Sequence, residues 1–267
     1  MLIDFGVFYQ FQQLAGGTFT VRAINDVELT QRFPRNNSLS VSEVDVGDFP
    51  QSIATGSFNN DALPDLVVAN VFTNDLTVLL HNGNSFDAVD SVVTGSFQPR
   101  SVAVADFNQD GTDDLVVGHE ATNVVSILLG QGDGTFASPT TLNMGGGQTT
   151  VSTGLFTDDA FPDIAVTSAV SNQAFVISNT NGSNFSVLHT VTTGTTPSRA
   201  EFANLEVNNL FNANSNPDLV VSSFGTSQVE TYFNSGSGSL SAAFMAPVGT
   251  GPSDVAVADF DMDGHLD

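Results

Sequence analysis

Oxygen-bearing side chains at every second residue, with a glycine after the third, are the residue types that wrap a hard cation, and the stretch DFNQDGTDDLVVG, Asp106 to Gly118, carries them. Counted from Asp106, side-chain oxygens fall at positions 1, 3, 5 and 9, as Asp106, Asn108, Asp110 and Asp114. Gly111 at position 6 allows the sharp turn, and the carbonyl of Thr112 at position 7 supplies a further oxygen. Calcium suits this set, because it accepts roughly 6–8 oxygens in irregular geometry whereas magnesium demands a tighter octahedron. The spacing returns near the end of the chain in DFDMDGHLD, with Asp259, Asp261, Asp263, the His265 carbonyl and Asp267. A helix–loop–helix calcium site needs a Glu at position 12, where this chain has Val117 inside an apolar run, so the loop reads as a hairpin connection.

Weaker copies lie between and before these two. Ser57, Asn59, Asp61 and Asp65 keep oxygens but lack the first carboxylate and the glycine, which implies weak or conditional binding. A third copy has Leu155 at position 1 and reads as a turn in which Asp159 and Asp163 satisfy backbone amides. In a fourth, an insertion leaves open whether Asn204, Glu206, Asn208 or Asn212 joins Asp218. Asp, Asn and Gly are also favoured in turns that hold no metal. Crowding three or four carboxylates into one turn without a cation is strongly repulsive, however, and this favours calcium for the second and fifth loops.

The elements that position these loops follow a beat. The closing aspartates Asp65, Asp114, Asp163, Asp218 and Asp267 are separated by 49, 49, 55 and 49 residues. A second landmark, Phe86, Phe136, Phe185 and Leu240, keeps the same rhythm at 50, 49 and 55, so the extra residues lie between Phe185 and Asp218. Within one unit SVAVADF, DLVVGHE, NVVSILLG and a weaker SPTTLNMG are separated by turn clusters, which predicts four short strands and no helix. The first three are apolar on both faces, as strands covered on both sides must be. The expected fold class is therefore all-β: a β-propeller of four-stranded antiparallel blades, with about five blades represented. Phe58, Phe107, Phe156 and Phe260 recur at one position of the unit and are expected in the core between blades.

AVADFNQDGTDDLVVG followed by VSILLGQGDGTF resembles the FG-GAP/VCBS-type repeat, found in integrin-like propellers and in many bacterial secreted proteins. The resemblance covers about residues 25–267 and leaves 1–24 outside the clear repeat. It implies propeller blades whose acidic hairpins bind calcium on one face.

Composition narrows the partners. The net charge is −24, with five arginines and no lysine, so phosphate backbones and anionic lipid are repelled and neither nucleic acid nor membrane insertion is expected. The absence of cysteine removes disulfides and thiolate chemistry. His81, His119, His189 and His265 sit at unmatched positions of their units with no second ligand at diagnostic spacing, and GQGDG (130–134) reads as a hairpin turn. No Trp is present, which argues against a sugar site built on exposed indole stacking. The main functional expectation is a non-catalytic, calcium-binding extracellular or periplasmic propeller that binds a protein or glycan ligand, for adhesion or docking. The alternatives are the propeller of a larger secreted hydrolase or lyase, which a cluster of unrepeated polar residues at the channel would favour and for which Glu201, Glu206 and the insertion between Phe185 and Asp218 are the visible candidates, and a structural spacer. Residues 25–48 align with the last two strands of a unit, and the chain stops after a first strand and its loop. Two readings follow: a fragment of a longer propeller, or a fifth blade closed by pairing the C-terminal strand with N-terminal ones.

Overall fold

Runs such as DLVVAN, DLVVGH, DIAVTS and DLVVSS offer apolar side chains to both sides of the backbone, and each forms the second strand of a sheet with every residue buried. In this computed structural model the described residues are 8–13, 19–24, 42–89, 91–147, 150–205, 216–235, 239–241, 244–260 and 266, and all their regular structure is β. Four consecutive antiparallel sheets repeat one plan. The first contains β4 (Pro50–Gly56), β5 (Asp65–Asn70), β6 (Asp75–His81) and β7 (Phe86–Ala88), with β8 (Val92–Val93) also pairing with β6. The second contains β9 (Pro99–Ala105), β10 (Asp114–His119), β11 (Val124–Leu128) and β12 (Thr140–Asn143). β13 (Thr150–Gly154), β14 (Asp163–Ser168), β15 (Gln173–Asn179) and β16 (Phe185–Thr192) make the third, and β17 (Pro197–Ala203), β18 (Asp218–Ser223), β19 (Gln228–Tyr232) and β20 (Phe244–Pro247) the fourth. A further sheet pairs β1 (Phe8–Gln13), β2 (Phe19–Ile24) and β3 (Ser42–Val46) in sequence order.

The apolar clusters lie between sheets. Phe58, Val67 and Val78 of the first sheet pack with Val102, Leu115, Val117 and Leu128 of the second, and Phe107, Val116 and Ile127 of the second pack with Val151, Ile164 and Phe175 of the third. The third and fourth meet through Phe156, Ala165, Val176, Leu219 and Tyr232. Burial on both faces thus comes from neighbouring blades, and the first strands β4, β9, β13 and β17 stand side by side around an axis.

Each blade is locked by its closing aspartate, which is fully buried. Asp65 accepts the Phe58 and His81 amides, both at 2.9 Å, and Asp114 those of Phe107 at 2.9 Å and Gly130 at 2.7 Å. Asp163 takes Phe156, Thr157 and Asn179, at 2.9, 2.8 and 2.9 Å, and Asp218 takes Leu205 and Asn234 at 3.2 and 2.9 Å. A carboxylate that accepts two or three amides ties the turn before the second strand to the end of the third, and fills donors that burial would otherwise leave empty. Blades are also pinned to one another at the phenylalanine turn. The Phe58 carbonyl accepts the Gly134 amide at 2.8 Å, the Phe107 carbonyl the Asn179 side chain at 2.9 Å, and the Phe156 carbonyl the Asn234 side chain at 3.1 Å.

Phe58, Phe107 and Phe156 are buried as the sequence implies, but Phe260 is 69% exposed. The fifth unit's VAVADF, expected to be a strand, forms none, because no ladder partner faces residues 252–259 among those described. Segment 1–24, outside the clear repeat, contributes β1 and β2. Of the two strands expected in 25–48, β3 is present, and residues 25–41 lie outside the described ones.

Candidate functional site

Two places on the propeller axis carry polar side chains in number. The first is the end where β9 runs through the acidic loop into β10. There Asp106 accepts the Asp110 and Gly111 amides, at 3.1 and 2.9 Å, and Asn108 accepts the Asp110 amide at 3.0 Å. Asp110 accepts the Thr112 amide at 2.8 Å and the Asn108 side-chain amide at 2.8 Å. Asp114, beneath the loop, is held by Phe107 and Gly130. Burial raises the Asp114 carboxyl to about 6 against the lowering pull of those two amides, and the Asp110 and Asp106 charges add to the rise. The donor set of this loop fits a hard cation, oxygen by oxygen. As described, its oxygens are engaged by the loop's own amides, and no three acidic or histidine side chains of the described residues converge as a metal cluster.

The first loop is similar. Asn59 bonds Asp61 at 2.9 Å, Asp61 accepts the Leu63 amide at 2.8 Å, the Ser57 amide donates to Asp113 of the next blade at 2.7 Å, and Asp65 is the blade lock. In the third, Asp159 accepts the Phe161 amide at 2.9 Å and Asp163 is the lock, as read from the sequence. Of the fifth loop, Asp259 is described, whereas Asp261, Asp263, His265 and Asp267 lie outside the described residues, as do Glu206, Asn208 and Asn212.

The second place is the opposite end of the inner strands. A β-bulge re-aims a side chain by inserting an unpaired residue, and the register slips at Gln51 in β4, Arg100 in β9 and Ser198 in β17. All three bulged residues line a cavity of about 460 Å³ at the axis, together with Ser52, Ser101, Thr150, Arg199 and Ser253. Arg199 also lines a second cavity of about 380 Å³ deeper along the inner strands. Ser52, Ser101, Thr150, Arg199 and Asp254 occupy one position of successive units, at intervals of 49, 49, 49 and 55 residues. Two residues further along each strand stand Ala54, Ala103, Ser152 and Glu201. Three units thus bring hydroxyls followed by small residues, and the fourth brings an arginine followed by a glutamate.

Glu201 Oε1 accepts both Arg199 Nη2 at 2.8 Å and Nε at 3.2 Å, and Asp254 reaches the same Nε at 3.7 Å from the fifth unit. Glu201 Oε2 has no protein partner in the described contacts. At the rim Arg100 pairs with Glu120 at 2.7 Å. Sequence reasoning singled out Glu201 but missed Arg100, Arg199 and Asp254. The available signal was their departure from the repeat on the inner strand, in a chain with only five basic residues.

The described histidines are structural. His119 is fully buried between Ser126 at 2.9 Å and the Phe97 carbonyl at 3.1 Å, and burial lowers it to about 4, which keeps it neutral. His81 stacks on Phe86 and His189 meets the Phe156 ring edge-on.

A family model described as the FG-GAP-like repeat matches residues 58–117, 107–166 and 211–267. No curated protein matches the chain. Among solved structures, a putative 6-phosphogluconolactonase from Bacteroides uniformis superposes with a TM-score of 0.66 at 13% identity, over 94% of this chain and 71% of that one. A periplasmic gluconolactonase of Pseudomonas aeruginosa gives 0.60 at 16% identity, over 93% and 68%. A protein from Lactobacillus plantarum gives 0.63 at 13%, over 94% and 69%. At these identities the likeness establishes the propeller fold. It also corrects the main functional expectation, that of a non-catalytic adhesion or ligand-binding module that is not an enzyme. Two of these neighbours are named as lactonases, and Arg199, which lines the channel cavities, is paired there with the unrepeated acids Glu201 and Asp254, a cluster of the kind the hydrolase alternative required. No helix of the described residues is long and apolar enough to cross a membrane.

Proposed function

Because this chain belongs to the FG-GAP-like repeat family, with that family's repeats built here into a propeller, we propose that it is a hydrolase that opens a cyclic ester at the mouth of the axial channel. The observation that carries the reading is the Arg199–Glu201 pair, set where the other blades have hydroxyls and small residues. A guanidinium has five N–H donors in a fixed fork, and among the described residues Arg199 uses only Nε and Nη2 on carboxylates. The remaining donors suit a carbonyl oxygen that gains negative charge as it is attacked. Glu201 Oε2 is the base we assign to the attacking water. The water oxygen bonds to the carbonyl carbon while its proton passes to Glu201, the ring C–O bond breaks, and the proton moves to the departing alkoxide to leave an open-chain hydroxy acid. The lactonase names of two neighbours with this fold support the choice of a lactone.

Glucono-1,5-lactone hydrolysis followed in a pH-stat tests the reading. The protein is expected to exceed the spontaneous rate clearly, and Glu201→Gln to lose about 10²–10⁴ of the enzymatic excess, the usual contribution of a positioned base. A wild-type rate equal to background sinks it.

We propose also that calcium strengthens the acidic end, held by Asp106, Asn108, Asp110, the Thr112 carbonyl and Asp114, with the fifth loop as a second site by its spacing. An extracellular or periplasmic compartment suits such loops. The cation would supply counter-charge to crowded carboxylates and takes no part in the hydrolytic step. Thermal melts in calcium and in EDTA should differ by several degrees, since calcium at about 100 times its Kd adds ~2.7 kcal/mol; identical melts leave these loops as turns.

A further inference from the structure

We infer that the channel site takes an uncharged, hydroxyl-rich ligand and rejects its phosphorylated form; this rests on the hydrolase reading of the same cavity and specifies its substrate class. Every described cation of the cavity is already matched. Arg100 faces Glu120 at 2.7 Å, and Arg199 faces Glu201 at 2.8 Å and Asp254 at 3.7 Å. Two positive charges therefore meet three negative ones, inside a chain of net charge −24. A phosphate ester carries about −1.5 to −2 at neutral pH and is recognised by guanidinium or ammonium groups free to form bidentate or charge-assisted bonds. To bind here it would have either to use the Arg199 donors that the carboxylates leave, with Glu201 and Asp254 beside it, or to displace a carboxylate from its arginine.

Neutral hydroxyl groups find the opposite situation. The Ser52 and Ser101 hydroxyls accept the amides of Val102 and Val151 from the neighbouring blades, at 3.2 and 3.1 Å, which leaves each O–H free to donate into the cavity. Ser253 and the Gln51 amide add further donors and acceptors on the same wall. Phe224, 53% exposed, gives the cavity one apolar face of the kind on which the C–H side of a sugar ring lies. The arrangement is that of a polyol site with one polarising arginine.

The test compares kcat/KM for glucono-1,5-lactone and its 6-phosphate at low ionic strength and in about 0.5 M salt. It is paired with calorimetric titration of the corresponding non-hydrolysable lactam and its 6-phosphate. We expect at least about a tenfold preference for the uncharged form in both measurements, shrinking in high salt as the repulsion is screened. Glu120→Gln, which releases Arg100 at the rim, should narrow the discrimination severalfold while leaving the uncharged lactone turned over as before. Equal or better use of the phosphorylated form overturns the inference, as does failure of the uncharged lactam to bind. If neither lactone is turned over but the uncharged lactam binds in preference to its phosphate, the hydrolase reading falls and the ligand class stands.

Discussion

The two ends of the inner strands use the same repeat in opposite ways. At the acidic end, successive units keep the closing aspartate at the same position, and the polar atoms there are consumed by one another and by backbone amides: Asp106 by residues 110 and 111, Asp114 by residues 107 and 130, Asp163 by residues 156, 157 and 179. At the channel mouth the units differ. Ser52, Ser101 and Thr150 give way to Arg199 and Asp254, and Glu201 retains an oxygen with no partner among the described residues. In a repeat protein every blade needs the same joints, so repetition marks what holds the fold together. A position that breaks the pattern answers to something only one place in the molecule has to do.

Substitutions at the two ends should therefore separate stability from activity. The largest effect is expected at the lock. Asp163→Ala leaves three amides without their acceptor, each worth about 1–3 kcal/mol when buried, so urea unfolding should show a loss of ~3–9 kcal/mol. A loss below 1 kcal/mol would mean that the locks are not the joints they look to be. Next comes the mouth, where Arg199→Ala should lower kcat/KM by about 10²–10³, as removal of one donor to a developing oxyanion does, with a melting temperature within a few degrees of the parent. Equal damage to both quantities would erase the distinction between the ends.

The smallest effect belongs to pH. His119 is held near 4 in the fold against 6.5 for an ordinary histidine, so acid protonates the unfolded chain first. Its contribution is complete above pH 6.5 and is lost as pH falls toward 4, on the order of 3 kcal/mol at most. Asp114 opposes it. With its carboxyl raised from 3.8 to about 6, the folded form holds the extra proton, and stability from this group rises as pH falls through that window. His119→Asn, which installs the residue that the first blade carries as Asn70, should remove the acid loss and let melting temperature climb from pH 7 to pH 5. An unchanged acid loss would place the sensitive group elsewhere.

Much of this architecture could be read from spacing alone. The beat of aspartates and phenylalanines gave the blade, because buried joints admit few residue types and so recur visibly. Phe58, Phe107 and Phe156 lie between sheets for that reason, and Phe260 is exposed, with no sheet over it among the described residues. The mouth was harder to read. Nothing in PRSVAVA or PSRAEFA states that a bulge turns Arg100 or Ser198 toward the axis, since a bulge arises from pairing with a strand elsewhere in the chain. Oxygen spacing in Asp106–Asp114 likewise shows which ligands are available but not which amides compete for them.

The joint at the phenylalanine turn is divided between neighbours. One blade offers a backbone carbonyl, at Phe107 or Phe156, and the following blade brings the asparagine that fills it, Asn179 or Asn234. The third unit accordingly carries a socket, the Phe156 carbonyl, on one side and a plug, Asn179, on the other. A gene that duplicates or deletes one whole unit keeps sockets and plugs in matched number, whereas a break at any other place strands one of each. Growth and shrinkage by complete blades is thereby the route of evolutionary change with the least structural resistance, and a unit gained in that way arrives with an inner strand free to be recoded for a different ligand.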